Sequence, residues 1–206
     1  MTDLIPSTIE TDRLRLEVVQ PETVDVRTLY EVCSAAEMEA VTEYMPWESH
    51  ETPNETLEFV EDVAERYESN DGASYMVRPR EGEPGAGEIA GTAGFGIEWE
   101  KRTLGMGVWL RKPFWGRGYS GERAAAFLAL AFDRLDLDLV ATVAHEDNDR
   151  SLRAIEKYVD RYGGRCEGLL RNYHRMNDEP ADCYRYSISR SEWEEAEHDL
   201  TVRFED

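Results

Sequence analysis

Alternation comes first along the chain. Leu14, Leu16 and Val18 alternate with Arg13, Arg15 and Glu17, the period of a half-buried strand, and after Pro21 the spacing of Val26, Leu29 and Cys33 turns helical. A second helix is announced by Thr52-Pro53-Asn54-Glu55, with Thr at the cap, Pro at the first position and Glu at the third. It carries Leu57, Val60, Ala64 and Tyr67 on one face and runs to about Ser69. Residues 74–78 and 88–97 read as a strand pair joined by the flexible segment EGEPGAGE, and residues 103–110 as a further strand, the three sequentially antiparallel. Ala124, Leu128, Ala131 and Leu135 mark a buried helix face, and Leu139 to Ala144 another strand. Asn148 or Asp147 caps a helix bearing Leu152, Ile155, Val159 and Tyr162, which Gly163-Gly164 terminates. Strands near 165–171 and 182–189 follow, then a short helix from Glu192 and a loose acidic tail.

At 206 residues the chain fits one domain. Residues 1–190 are expected to form it, and residues 191–206 a short acidic C-terminal extension. Forty-four Asp and Glu against 23 Lys and Arg give a net charge of −21, and Lys101, Lys112 and Lys157 are the only lysines. Such a surface repels phosphate backbones, so nucleic acid is not an expected partner. No basic cluster is longer than Lys101-Arg102 or the spaced Arg111, Lys112 and Arg117, and those three cations in an acidic protein would suit a phosphate. A salt-rich cytosol that screens self-repulsion accounts for the acidic, halophilic-type surface, and steering of a cationic amine is the alternative. Cys33, Cys166 and Cys183 show neither a disulfide framework nor zinc spacing, and read as small buried residues. The N-terminus carries no basic start followed by an apolar run, and no apolar stretch is of membrane-spanning length; a cytoplasmic protein without membrane contact is expected.

Residues 111–130, RKPFWGRGYSGERAAAFLAL, read as a strand end, a glycine-bearing turn and an Ala-rich helix. Gly116, Gly118 and Gly121 let main-chain amides approach a ligand where the helix begins, an arrangement that binds pyrophosphate; a purely structural strand-to-helix turn is the alternative. The chain lacks the Gly-Lys-Ser/Thr ending of a nucleotide P-loop, and the turn falls after the middle of the chain, so a nucleotide triphosphatase is disfavoured.

In residue order the segment resembles the acyl-CoA-binding motif of the GNAT N-acetyltransferases, in particular the RimJ/RimL-like branch. The generic pattern Gln/Arg-x-x-Gly-x-Gly/Ala is met by Trp115, Gly116, Arg117, Gly118, Tyr119 and Ser120, with Trp115 in place of a polar residue and Ser120 in place of Gly or Ala. TDRLRLE, YMPW at Tyr44 to Trp47 and NDRSLRAIEKY at Asn148 to Tyr158 extend the likeness over nearly all of residues 8–190, and the element order β-α-α-β-β-β-α-β-α-β-β is the family's. The resemblance implies a three-layer α/β (α+β) fold: a mostly antiparallel mixed sheet, splayed in the middle, with helices on both faces. It implies an acetyl-CoA-dependent N-acetyltransferase working by direct attack of a primary amine in a ternary complex, with a protein N-terminal α-amine as the leading acceptor. A small-molecule amine such as a polyamine or antibiotic, or a non-catalytic acyl-CoA-binding module, is the alternative. A homodimer is common in the family.

By the same resemblance the cofactor lies along Met106, Val108 and Leu110, where Gly105 and Gly107 make room, and at Arg111, Trp115, Gly116, Arg117, Gly118, Tyr119, Ser120, Gly121 and Asn148. For either glycine of the strand, a bulge or close strand crossing is the competing reading. Ser151 would protonate the CoA sulfur, although Asn148 and Ser151 also suit simple helix capping. His174 falls at the base position, with Glu167 and Asp182 as alternatives, and its ordinary pKa of about 6.5 leaves it neutral near pH 7. Trp47, Tyr44 and Tyr173 would cover the acceptor, with Glu43 and Glu48 attracting its charge.

Overall fold

The computed structural model describes residues 4–176 and 179–206. The chain opens with β1 (Thr8–Glu10) and β2 (Leu14–Val18), in which Leu14, Leu16 and Val18 turn inward and Arg15 and Glu17 stay half-exposed, as the alternation predicts. Three helices follow: α1 (Val26–Cys33), α2 (Met38–Thr42) and α3 (Pro53–Glu68). The Thr52 hydroxyl accepts the Glu55 N–H and Pro53 occupies the first turn, so α3 starts where its cap signals place it and ends at Ser69. Helix α2 is unpredicted because five residues with only Met38 and Val41 buried leave no readable period.

Strands β3 (Gly72–Pro79), β4 (Gly91–Glu98) and β5 (Thr103–Leu110) form a meander. Helix α4 (Tyr119–Ala129) and a π turn at Leu130–Arg134 lead to β6 (Leu139–His145), then α5 (Asp149–Arg161), β7 (Arg165–Met176), β8 (Glu179–Ser189), α6 (Arg190–Glu195) and β9 (Arg203–Glu205). The described strands form one sheet in the order β7-β8-β6-β5-β4-β3-β2-β1-β9. All neighbours are antiparallel except β5 and β6. Two apolar layers cover its faces. Leu29, Met38, Val60 and Trp109 belong to the side of α1–α3, whereas Leu104, Met106, Phe127 and Ile155 belong to the side of α4 and α5.

Three expectations change. The acidic end forms the short helix but not a loose tail: Arg203–Glu205 pairs with β1, and Phe204 packs on the larger core beneath the Arg134 guanidinium, 5.8 Å from its ring centre. One apolar residue between two charges is too weak a signal to read as a strand. The EGEPGAGE segment is not free either, because Arg78 donates to the Gly87 carbonyl, Arg117 to that of Pro84, and the Tyr119 hydroxyl to Glu83. It buttresses the glycine turn from outside. Cys33 and Cys183 are buried as expected, but Cys166 is exposed on β7.

Helix α4 shows no stripe, since all its residues but Ser120 and Gly121 are buried. A charge on it must therefore be matched inside the protein. Glu122 is matched: it accepts the Thr11 hydroxyl at 2.6 Å, the Arg13 N–H at 2.8 Å and the Arg13 Nε–H at 2.6 Å. Arg13 also donates to the Arg117 carbonyl at 3.0 Å, so this network fixes the glycine turn against the β1–β2 corner. Glu122→Ala should lower unfolding free energy by about 2 kcal/mol in a urea titration, less than for a fully buried pair because Arg13 can regain water, its side chain being 39% exposed. A change below about 0.5 kcal/mol would mean that the network does not hold the turn.

Candidate active site

Strands β5 and β6 pair only over Thr103–Gly105 and Leu139–Ala141, then part. Each keeps its outer neighbour over its full length, β4 for β5 and β8 for β6, so the wedge leaves only the inner edges open. At the first open step the Thr142 hydroxyl donates to the Met106 carbonyl at 3.0 Å. A cavity of about 390 Å³ occupies the wedge, reaching Gly105 to Val108 on one side, Ala141 to His145 on the other, and Ser120, Asn148 and Ser151 above.

Gly105 and Gly107 face this space. A Cβ added to either would meet no atom within 4 Å, whereas one on Gly91 would strike the Trp109 carbonyl oxygen at 2.1 Å. The strand glycines are therefore not required by close packing of the protein on itself. They leave room for something else.

The turn above has Gly116 at φ 75° and Gly118 at φ 82°, left-handed conformations that side chains strain to adopt. Gly118 caps α4 without a side-chain bond, and the first helical bond is from the Glu122 N–H to the Gly118 carbonyl at 3.1 Å. The N–H groups of Tyr119, Ser120 and Gly121 thus have no intrahelical acceptor and carry the positive end of the helix dipole. An anionic diphosphate fits this donor set.

The other expected cofactor residues separate into those at the wedge and those outside it. Met106, Val108, Ser120 and Asn148 line the cavity, and Leu110 is buried in the core. Tyr119 offers only its main chain, its ring lying under the Arg13 guanidinium at 5.3 Å. Arg111 is not free to meet a phosphate: it is ion-paired with Glu37 at 2.9 Å and lies 3.7 Å from Glu88. Arg117 is tied to the Pro84 carbonyl and to the Phe114 ring. Trp115, the departure from the motif, folds away from the cavity. Its indole N–H donates to the Leu110 carbonyl at 2.6 Å, and the exposed Arg150 stacks on its ring at 3.7 Å. Arg150, which the sequence reading passed over, is a further cation beside the turn, together with the exposed Lys112.

Asn148 caps α5 and its side-chain oxygen accepts the Ser151 N–H at 3.1 Å, so the capping function is real; both residues nonetheless line the cavity. His174 lines it too, with its ring edge-on to Tyr173 at 4.7 Å, and burial holds its pKa below the ordinary histidine value. The alternative bases are engaged elsewhere: Glu167 with Arg185 at 3.0 Å, and Asp182 with the Asn172 N–H at 2.8 Å. Tyr44 and Tyr173 reach the cavity, whereas Trp47 packs on Trp109 at 5.6 Å in the core beside α1–α3 and is not on its wall. Glu43 and Glu48 are exposed and also off the wall.

Other wall residues were unread. His145 stands 5.2 Å from Tyr44, and its Nδ1 accepts the Asp147 N–H at 3.1 Å, which leaves the proton on Nε2. Arg123 and Tyr158 project from α4 and α5. Arg123 gave little signal, since it directly precedes the apolar run AAAFLALAF and reads as part of a charged first turn. Among the described residues no cluster of His, Cys, Asp and Glu could hold a metal, and no helix is long and apolar enough to cross a membrane.

If the space over β5 receives the pantetheine arm of coenzyme A, Gly107→Val should weaken CoA binding by at least about tenfold in calorimetry. The same substitution should move the melting temperature by less than about 2 °C, since the new Cβ displaces no protein atom. Unchanged CoA affinity would place the ligand elsewhere.

Comparison with known proteins agrees with this geometry. The Acetyltransferase (GNAT) domain model matches residues 13–158. The uncharacterized N-acetyltransferase YoaA of Bacillus subtilis is 27% identical over 181 residues, covering 87% of this chain and 95% of its own. The microcin C7 self-immunity acetyltransferase MccE, solved with acetyl-CoA and AMP, superposes with a TM-score of 0.77 at 19% identity, over 92% of this chain and 99% of that one. A putative ribosomal-protein-serine acetyltransferase from Vibrio cholerae gives 0.72 at 18% identity, over 90% and 99%. At these identities the structural matches speak for the fold alone. The wedge, the glycine turn and the matched domain together establish that the chain belongs to the GNAT acetyltransferase family, enzymes that use acetyl-CoA.

Proposed function

We propose that this protein transfers an acetyl group from acetyl-CoA to the α-amine at a protein or peptide N-terminus by direct attack. The carrying observation is the electrostatics of the acceptor mouth. Tyr44, Met45, Pro46, Tyr173 and His174 line it, and none of these five carries a carboxylate. A polyamine needs several anionic contacts, and these five wall residues supply none. A single amine on an otherwise neutral or acidic chain suits these walls, with the aromatic rings covering its backbone.

Bound in the wedge, acetyl-CoA supplies an activated acyl carbon. His174 takes a proton from the incoming ammonium, because burial keeps its ring neutral. His145 is unsuited to that task while its Nδ1 accepts from Asp147, since its Nε2 is then a donor. Ser151, on the first turn of α5, donates its hydroxyl proton to the departing sulfur. No cysteine nucleophile is needed: burial pushes the Cys33 thiol up to about 12 and raises that of Cys183 as well, so neither is an available thiolate.

The sign of the pH dependence follows. A base whose pKa is lowered works above that pKa, so thiol release should fall on acidification with a midpoint below 6.5. His174→Gln should reduce the rate by about 100-fold and remove that limb; an unchanged profile would exclude His174. Ser151→Ala should lower turnover by about tenfold with little effect on CoA affinity. Turnover of N-terminal peptides should exceed that of spermidine in high salt, and the reverse order would reassign the acceptor to small amines.

A further inference from the structure

Arg123 is 2% exposed, and neither its Nε nor its Nη1 has a hydrogen-bond partner. Tyr158 acts on it from α5 and is 3% exposed, with its phenol directed at the Thr142 hydroxyl. Among the described residues no carboxylate pairs with this guanidinium, whose charge meets only the face of the Phe127 ring 5.4 Å away, while the adjacent Glu122 is fully engaged elsewhere. A guanidinium keeps its charge even where burial opposes it, and a buried, unmatched charge destabilises a fold. Retention of one on a cavity wall points to a ligand that matches it.

Its position says which ligand. Arg123 lies one helical turn beyond Ser120, and with Tyr158, Ile155 and Thr142 it lines the α4–α5 side of the wedge. Thr142 bonds Met106 just where the β5–β6 pairing stops at Gly105–Ala141, so this is the closed end. A donor held by its diphosphate at the glycine turn runs down the wedge and brings its acyl group toward that end. The acceptor mouth at Tyr44 to Pro46 belongs to the loop after α2, on the opposite face. A carboxylate on the acceptor would have to pass the reacting carbon to reach Arg123, whereas one on the far end of the acyl chain would not.

We propose that Arg123 and Tyr158 form a carboxylate pocket for the acyl group, so that the protein accepts, beside acetyl-CoA, the CoA monothioester of a short dicarboxylic acid of the succinyl class. This rests on the donor-binding reading above. The amine nitrogen forms a bond to the thioester carbon, the carbon–sulfur bond breaks with its electron pair on sulfur, and the proton lost by nitrogen ends on the thiol. The product is an amide carrying a free carboxylate, and no oxidant or second reactant enters. The guanidinium and the phenol both donate to the carboxylate oxygens.

The test is calorimetric and needs no acceptor: the full chain in high salt is titrated with CoA, acetyl-CoA, butyryl-CoA and succinyl-CoA, the last two equal in chain length and different in charge. Succinyl-CoA should bind at least about tenfold more tightly than butyryl-CoA, as charge-assisted hydrogen bonds in a dry site allow. Arg123→Met should bring that ratio close to one, and Tyr158→Phe, which keeps the ring and its packing, should reduce it. Thiol release with an accepted peptide should follow the same order. Binding of CoA and acetyl-CoA with no advantage of succinyl-CoA over butyryl-CoA would overturn this proposal alone, whereas failure of CoA itself to bind would overturn the donor-site reading with it. A carboxylate preference found among acceptors and absent among donors would also overturn it.

Discussion

The parting of β5 from β6 after three residue pairs is the constraint on which the rest depends. Opening a sheet ordinarily strands main-chain donors and acceptors, and a buried unpaired group is costly. Here the cost is confined because β4 and β8 hold the outer edges of the two strands throughout, and because Thr142 bonds the first freed carbonyl of β5. The remaining inner edge from Gly107 onward is a row of polar groups facing empty space, which is what an extended amide-bearing chain such as pantetheine can pair with. Glycine at 105 and 107 keeps side chains out of that row.

The helices then position chemistry on the two sides of the opening. Adjacent residues of α4 illustrate how. Glu122 reaches outward to the β1–β2 corner, where Thr11 and Arg13 satisfy it, and so fixes the glycine turn. Arg123 reaches inward to the wedge and finds no carboxylate. One charge is structural and matched within the fold, while the other is left for whatever fills the cavity. A related division appears on α5, where Asn148 uses its side-chain oxygen to cap the helix through the Ser151 N–H, while Ser151 itself lines the cavity.

Much of this architecture was legible because its signals are local. The alternation at Leu14 to Val18, the Thr52-Pro53-Glu55 cap and the strand at Thr103 to Leu110 each rest on periodicity or capping chemistry within a few residues. Elements whose stability is tertiary were not: α2 is held by two buried residues, and β9 by one ring and its pairing to β1. The site divides in the same way. The turn at Gly116 to Ser120 and the Asn148–Ser151 cap announce themselves, whereas the partners of Arg111, the withdrawal of Trp47 and the burial of Arg123 depend on residues distant in sequence. Glu122-Arg123 reads like an ordinary charged first turn, and only the depth at which α4 sits makes both charges internal.

Electrostatics set a remaining problem, since a chain of net charge −21 must attract a polyanionic cofactor. Arg111 is neutralised by Glu37 and Glu88, and Arg117 is held by a carbonyl and a ring, so of the three expected cations only Lys112 is exposed beside the turn. Most of the attraction must therefore be short-ranged. The N–H groups at the start of α4 act only within hydrogen-bond reach, and Arg150, stacked on Trp115, adds a charge beside them without entering the wedge. Salt screens the distant surface carboxylates over about 10 Å at 0.1 M and over shorter distances above it, but it weakens contacts made inside a cleft much less. High ionic strength consequently favours this mode of binding over the long-range repulsion opposing it. Trp115, at a position where the family pattern places a polar residue, then serves as the platform that holds the Arg150 guanidinium at the entrance.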